Sequence, residues 1–208
     1  VNPDKLTLTN NIKFDLTISD YDLAVSQSIK TNFTLEQLLI IVAGSTHEPE
    51  EQVLLNAYLA LVEVYPTLLL IIVPRHPQRF AKVYQLLQKQ NIETILMSEA
   101  TSCRPSTQVL LCDQMGKLRS IYALADISFV GGSIADKGGH NALEPAAVGV
   151  PILMGNSIYN NPAICHALID KGALLTVTNA QQIELACKKW LDNPEQKKHA
   201  ANAGKHVL

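Results

Sequence analysis

Seven short, nearly continuous apolar runs rich in β-branched residues punctuate the chain, at 38–42, 68–73, 94–97, 108–112, 127–130, 151–154 and 173–177. Between most of them lie segments with helical spacing of apolar positions, at 50–65, 78–90, 117–125, 143–148, 162–171 and 181–191. A strand with one wet face alternates apolar and polar residues, whereas a strand covered on both faces does not. The unbroken runs therefore predict a parallel sheet with helices on each side. Right-handed crossovers then favour an α/β, Rossmann-like, doubly wound parallel sheet. The first 35 residues lack this regularity: 6–9 could form a short strand, and 20–32 a helix or a linker. The expected organisation is a linker segment over 1–35 and one domain over 36–208. No internal repeat or low-complexity tract interrupts it.

Composition narrows the function classes more than the fold. Hydrophobic residues make up 47% of the 208 and charged residues 17%, the balance of a chain that buries a core. A formal net charge of −2 gives no electrostatic case for nucleic acid as a partner. No apolar run approaches the roughly 20 residues needed to span a bilayer, and no secretory signal is visible. Cys103, Cys112, Cys165 and Cys187 are scattered without metal-ligand spacing, so they read as ordinary thiols in a reducing compartment. The opening on Val1 and the stop at Leu208, inside a helix-like Lys- and Ala-rich stretch, predict a piece of a longer protein.

In doubly wound sheets ligands bind beyond the carboxyl ends of the strands, so the residues that follow each run carry the candidate chemistry. After the first run come Gly44, Ser45, Thr46, His47, Glu48, Pro49, Glu50 and Glu51. Ser45 or Thr46 could cap a helix whose first turn holds Pro49 and the acids. The same turn could equally present helix N–H groups to an anion, and capping alone leaves His47 unexplained. After the second run, Pro74 and Pro77 stiffen a turn around Arg75 and His76, so the guanidinium is held at the crevice, suited to a phosphate or carboxylate. After the fourth run, Asp113 to Leu118 either shape a loop or place Met115 and Gly116 against a base.

The fifth run ends in Gly131, Gly132 and Ser133, followed by Gly138, Gly139, His140, Asn141, Glu144 and Pro145. The first glycine pair permits close backbone approach to a ligand. The second precedes a helix expected to begin near 141–144, whose N–H groups attract phosphate. Glu144, four and three residues beyond His140 and Asn141, shares their side and can accept from two vicinal hydroxyls of a ribose. Neither G-x-G-x-x-G nor G-x-x-x-x-G-K-S/T is present, which weighs against NAD enzymes and ATPases of those types. His47, His76 and His140 come from separate turns without motif spacing, so no metal site is expected.

A glycine pair at a strand end with a Glu on the next helix resembles the donor-binding domain of GT-B glycosyltransferases. The order and spacing of Ser45-Thr46-His47-Glu48-Pro49-Glu50-Glu51, Arg75-His76-Pro77, Asp113-Gln114-Met115-Gly116-Lys117-Leu118 and Gly131-Gly132-Ser133 through Gly139-His140-Asn141-Ala142-Leu143-Glu144-Pro145-Ala146-Ala147 resemble the 3-deoxy-D-manno-octulosonic acid (Kdo) transferases of lipid A assembly. The opening segment from Leu8 to Asp15 also looks like the stretch before that family's second domain. Pro49, Ala142 and Gly155-Asn156-Ser157 depart from the family pattern, and Ser157 is left without an assigned role.

This resemblance implies one half of a GT-B fold that binds CMP-Kdo, with a lipid A precursor as acceptor and no metal or other cofactor. It implies that Arg75 and the N–H groups of Gly131, Gly132, Ser133, Gly139, His140 and Asn141 bind phosphate and sugar carboxylate. Glu144 would hold the ribose, Met115 and Gly116 would border cytosine, and Ser45, Thr46 and His47 would face the donor sugar or acceptor. The catalytic base and the membrane contact, at the cytoplasmic face of the bacterial inner membrane, would belong to an N-terminal acceptor domain outside these 208 residues. Two alternatives from the residues remain: a GT-B enzyme using a UDP- or GDP-sugar, and a non-catalytic nucleotide-sensing module.

Overall fold

The apolar runs become strands because each is long enough to cross a sheet and too β-branched to favour helix. Residues 17–208 are described by a computed structural model; the strand expected at 6–9 and the segment 8–15 lie outside them. The elements are α1 (Asp20–Asn32), β1 (Leu39–Thr46), α2 (Glu50–Val62), β2 (Leu68–Pro74), a 3-10 turn (Pro77–Arg79), α3 (Phe80–Lys89), β3 (Thr94–Leu96), β4 (Val109–Leu111), α4 (Leu118–Tyr122), β5 (Ile127–Val130), α5 (Leu143–Ala147), β6 (Ile152–Met154), α6 (Pro162–Asp170), β7 (Leu174–Thr176), α7 (Ala180–Leu191) and α8 (Pro194–Lys205). The seven strands form one sheet in the order β3-β4-β2-β1-β5-β6-β7, with every neighbouring pair parallel. This is the doubly wound fold that the sequence predicts.

Alternate residues of the central strands feed two cores. Ile40, Val42, Leu69 and Ile71 face a layer containing Ile29, Phe33, Tyr122, Ala146, Ile164 and Leu168. Ile41, Ala43, Leu70 and Ile72 face Leu54, Tyr58, Leu61, Val83, Leu87, Ile183 and Trp190. Each fully buried Leu or Ile side chain contributes roughly 1.5–3 kcal/mol relative to exposure, so the two layers together fix the register of β1 and β2. A slip of one residue would exchange the two cores.

Residues 20–32 form a helix. Ser19 accepts from the Asp22 N–H at its start, Asp20 and Asp22 complement the dipole, and the Ser120 hydroxyl donates to Asp22 across to α4 at 3.2 Å. Ile29, Phe33 and Leu35 are buried, so the packed body includes residues assigned to the linker segment. All four cysteines are unpaired, and burial pushes Cys112 and Cys187 up to about 11 and about 12. Those thiols stay protonated and behave as small apolar groups.

The chain winds outward from β1 through β2 to the β3 edge, returns through β4, and then crosses β1 to build β5, β6 and β7. The strand order therefore reverses at the β1–β5 junction, where the connections leaving the two strands diverge. A crevice opens at their carboxyl ends.

Candidate functional site

At this junction β1 ends in a bulge. Ser45 adopts φ 55°, and the register with β2 shifts between Gly44 and Thr46. Gly131 packs against the bulge so closely that an added Cβ would meet the Ser45 carbonyl group and the Thr46 Cα. The close approach that this glycine allows is to the neighbouring strand, not to a ligand. Gly131 donates its N–H to the Gly44 carbonyl at 2.8 Å.

The donors of the glycine loop expected to meet a ligand are likewise bonded within the fold. The Glu50 side chain is fully buried beneath it. Its carboxylate accepts from the N–H groups of Gly132, Ser133 and Ile134, each at 2.9 Å, and of Ala135 at 3.2 Å. It also accepts from the His47 N–H at 2.9 Å. The Gly132 and Ser133 N–H groups assigned to phosphate are thus occupied by an anion that the chain itself supplies. Gly139 and His140 donate theirs to the carbonyls of Gly132 and Gly131. Asn141 uses its side-chain oxygen to accept from Leu143. α5 spans only Leu143–Ala147, too short for a full macrodipole.

The expected Ser or Thr cap of α2 is also absent. Pro49, following a cis peptide bond, takes the N-cap position. Thr46 instead donates to Glu51 at 2.9 Å, and Glu51 receives two bonds of 2.9 Å from Arg79. The acids read as dipole complements therefore serve as buried anchors for the strand-end loops.

With the N–H groups of Gly131, Gly132, Ser133, Gly139 and His140 occupied, charge recognition rests mainly on side chains. A cleft of about 300 Å³ lies beyond the strand ends, lined by Ser45, Pro74, Arg75, Met115, Gly116, Lys117, Arg119 and Glu144. That is the lower end of the ~300–1,000 Å³ range typical of small-molecule sites. A larger groove, about 380 Å³, runs between α2 and α3; none of Ser45, Arg75, Met115 or Glu144 lines it. The smaller cleft is the candidate site because it sits at the topological switch and gathers residues from four separate strand ends.

Within the cleft Glu144 lies 3.7 Å from the Arg119 guanidinium. Burial raises its carboxyl above the ordinary value, while Arg119, Arg75 and the Asn141 side chain oppose the rise. Met115 stands 59% exposed at the rim, so an apolar surface is available to stack on a planar group. Gly116 holds φ 77° at the turn beside it. Asp113 shapes this loop by accepting from the Ser98 N–H and hydroxyl.

The three histidines converge at the mouth of the β1–β5 junction. His47 and His140 meet Nε2 to Nε2 at 2.9 Å. His76 approaches His47 edge-on, with centroids 5.5 Å apart. Burial, followed by the Arg75 cation, pulls His140 down to about 4, and burial lowers His47 as well. Nearby, Ser157 accepts from the Gly138 N–H and donates to Asp136, and Asn160 donates to the carbonyls of Lys137 and Gly139. Both fasten the second glycine pair.

Arg75, Met115, Gly116, Glu144 and Ser45 thus share one cleft, whereas Thr46, Gly131, Gly132 and Ser133 make their contacts within the fold, and His47 and His140 form a separate pair. Sequence reading missed Glu50, Arg119 and Arg79. The signal for Glu50 was the spacing of His47 and Glu50, three residues apart, which suits a reach-back carboxylate. Nothing in the spacing marks Arg119 or Arg79.

A family model described as glycosyl transferases group 1 matches residues 27–207. A 3-deoxy-D-manno-octulosonic acid transferase of Haemophilus influenzae is 39% identical over 206 residues, 99% of this chain and 48% of that protein. One from Chlamydophila psittaci is 32% identical over 95% of this chain and 45% of its own length. The chain spans about half the length of these curated relatives. Among solved structures, the C-terminal CMP-Kdo binding domain of WaaA from Acinetobacter baumannii superposes with a TM-score of 0.86 at 35% identity, covering 91% of this chain and 99% of that one. Anabaena HepE in complex with UDP-glucose shares the fold at a TM-score of 0.63 and 14% identity, covering 92% of this chain and 49% of that one. The chain belongs to the glycosyl transferases group 1, and within that family it stands with the C-terminal domains of the Kdo transferases.

Proposed function

We propose that this domain binds CMP-Kdo and serves a transferase that moves Kdo to a lipid A precursor at the cytoplasmic face of the inner membrane. The observation that carries the reading is the cleft at the β1–β5 switch, where Arg75, Arg119, Met115 and Glu144 converge on a chain similar throughout to a CMP-Kdo binding domain. Arg75 and Arg119 hold the phosphate as side-chain cations, in place of the glycine-loop N–H groups that Glu50 occupies. Glu144 accepts from the ribose hydroxyls, and Met115 with Gly116 borders the cytosine. As the bond to the sugar breaks, negative charge grows on the departing CMP. Fixed guanidinium groups stabilise that charge more than they stabilise the bound donor, which is the condition for lowering the barrier. The base that activates the acceptor hydroxyl, and the contact with the membrane, come from the half of the relatives that this chain does not cover. Among the described residues no helix is long and apolar enough to cross a membrane.

Calorimetric titration of CMP, UMP and GMP into the 208-residue chain and its Glu144→Ala variant tests this reading. CMP is expected to bind selectively. Glu144→Ala should weaken it about 10- to 100-fold, the loss of a charged hydrogen-bond acceptor worth roughly 1.5–3 kcal/mol. Preference for UMP or GMP would discard Kdo as the sugar. Unchanged CMP affinity in the variant would remove Glu144 from the ribose.

A further inference from the structure

Glu50 leaves the glycine loop with no free N–H at Gly132 or Ser133 for a ligand, yet the donor proposed above carries a carboxylate in addition to its phosphate. A group must meet that second negative charge. His47 and His140, one from each flanking loop, lie beside the cleft, with His140 under the influence of Arg75, which lines it.

Their geometry is specific. The rings lie within 8° of parallel with centroids 5.1 Å apart. With the two Nε2 atoms at 2.9 Å, that is the separation of rings joined nitrogen to nitrogen in nearly one plane, not stacked face to face. One ring must carry the shared proton on Nε2 and the other must accept it. The donor ring then has a bare Nδ1, and the acceptor ring carries its own proton on Nδ1.

Such a pair has room for one additional proton. Protonating the bare Nδ1 turns the donor ring into an imidazolium while its Nε2–H still points at a neutral acceptor. A second proton would place hydrogens on both facing Nε2 atoms and break the contact.

We propose that the His47–His140 pair is an anion subsite for the donor's second negative group, accepting one solvent proton at Nδ1 as that group settles against it. The inference rests on the donor-binding reading. The surroundings of the pair explain why it waits uncharged. His47 faces His76, Arg79 of the 3-10 turn, Glu51 of α2 and Lys137 of the β5–α5 connection. His140 faces Arg75, His76 and His47. Burial is the main reason, and Arg75 and Lys137 add to it, whereas Arg79 and Glu51 largely cancel each other, so the pair stays uncharged until an anion arrives. Glu50 pins the pair: it holds the His47 N–H directly and fixes Gly132, whose carbonyl holds Gly139 beside His140.

The test is an NMR titration of the histidine rings with pH, on the 208-residue chain alone, with CMP, with CMP-Kdo and with inorganic phosphate. The pair is expected to titrate well below an ordinary histidine without ligand. CMP-Kdo should raise it by about one pH unit or more, a tenfold change in protonation, and CMP alone by less. His140→Gln, which keeps a polar side chain but cannot take up a proton, should remove that ligand-linked titration. A pair that titrates identically with and without bound CMP-Kdo overturns the subsite and leaves the donor reading standing, because resonances around Met115 would still report binding. If neither CMP nor CMP-Kdo perturbs any resonance, the donor reading falls. Phosphate then decides the pair: a raised imidazole titration keeps an anion subsite, and an unchanged one removes it.

Discussion

Replacing Glu50 with alanine removes the acceptor of five backbone N–H groups at once, those of His47, Gly132, Ser133, Ile134 and Ala135, at 2.9–3.2 Å. Each bond to a charged acceptor is worth roughly 1.5–3 kcal/mol, but the sum is not the loss. The carboxylate's own desolvation offsets part of it, and water can enter the vacated polar hole. Disruption of a buried charge site costs about 3–5 kcal/mol. For a domain of this size that lowers Tm by roughly 6–20 °C, against a total stability on the order of 5–15 kcal/mol. Urea and thermal unfolding followed by circular dichroism measure it. Formate, small enough to refill the hole with a carboxylate, should raise the Tm of Glu50→Ala more than that of the parent chain. Glu50→Gln keeps the volume but turns amide hydrogens toward two N–H donors, so it should lose about 1–3 kcal/mol and gain nothing from formate. A Glu50→Ala chain within about 1 kcal/mol of the parent would refute the idea that this carboxylate organises the loop.

Arg79→Met strands the Glu51 carboxylate, whose side chain is 2% exposed, and should cost about 3–5 kcal/mol in urea unfolding. Replacing Glu51 with Leu as well should recover much of that loss, because an apolar pair avoids desolvating two charges. Gly131→Ala forces a Cβ into the backbone of Ser45 and Thr46 and should destabilise by about 1–3 kcal/mol through the forced parting of β1 and β5. Stability should also fall on acidification. His140 is depressed from 6.5 to about 4 in the folded chain, so the unfolded chain binds its proton first. The contribution is complete above about pH 6.5 and drains away as pH falls toward 4, at no more than about 1.4 kcal/mol per pH unit. A urea midpoint that declines as steeply in His140→Gln as in the parent between pH 7 and pH 5 would assign the acid sensitivity to other groups.

Much of this architecture is local information. The run at 68–73 reads as a strand buried on both faces, because nothing polar interrupts it and the helical segments on either side supply covering layers. Four strand ends could be singled out because a doubly wound sheet exposes its connections there, whatever the strand order. Arg75, Met115, Gly116 and Glu144 follow from that rule together with the chemistry of their side chains. Resemblance to a known family joined them into one ligand.

The strand order, the bulge at Ser45 and the partners of Glu50 were decided only by the fold. Gly132 and Ser133 read as free anion donors because a sequence shows which residues offer N–H groups but not which acceptor arrives first. Glu50 lies more than eighty residues earlier, and only the pairing of β1 with β5 brings its carboxylate under their loop. Arg119 is a surface cation on a short helix until the return through β4 swings α4 beside α5. His47 and His140 sit ninety-three residues apart, and their shared proton exists only because two strand ends meet. Local periodicity is set by neighbours within a turn or a pleat, and the sequence carries it openly. The occupancy of a buried donor depends on long-range packing, which decides which acceptor reaches it.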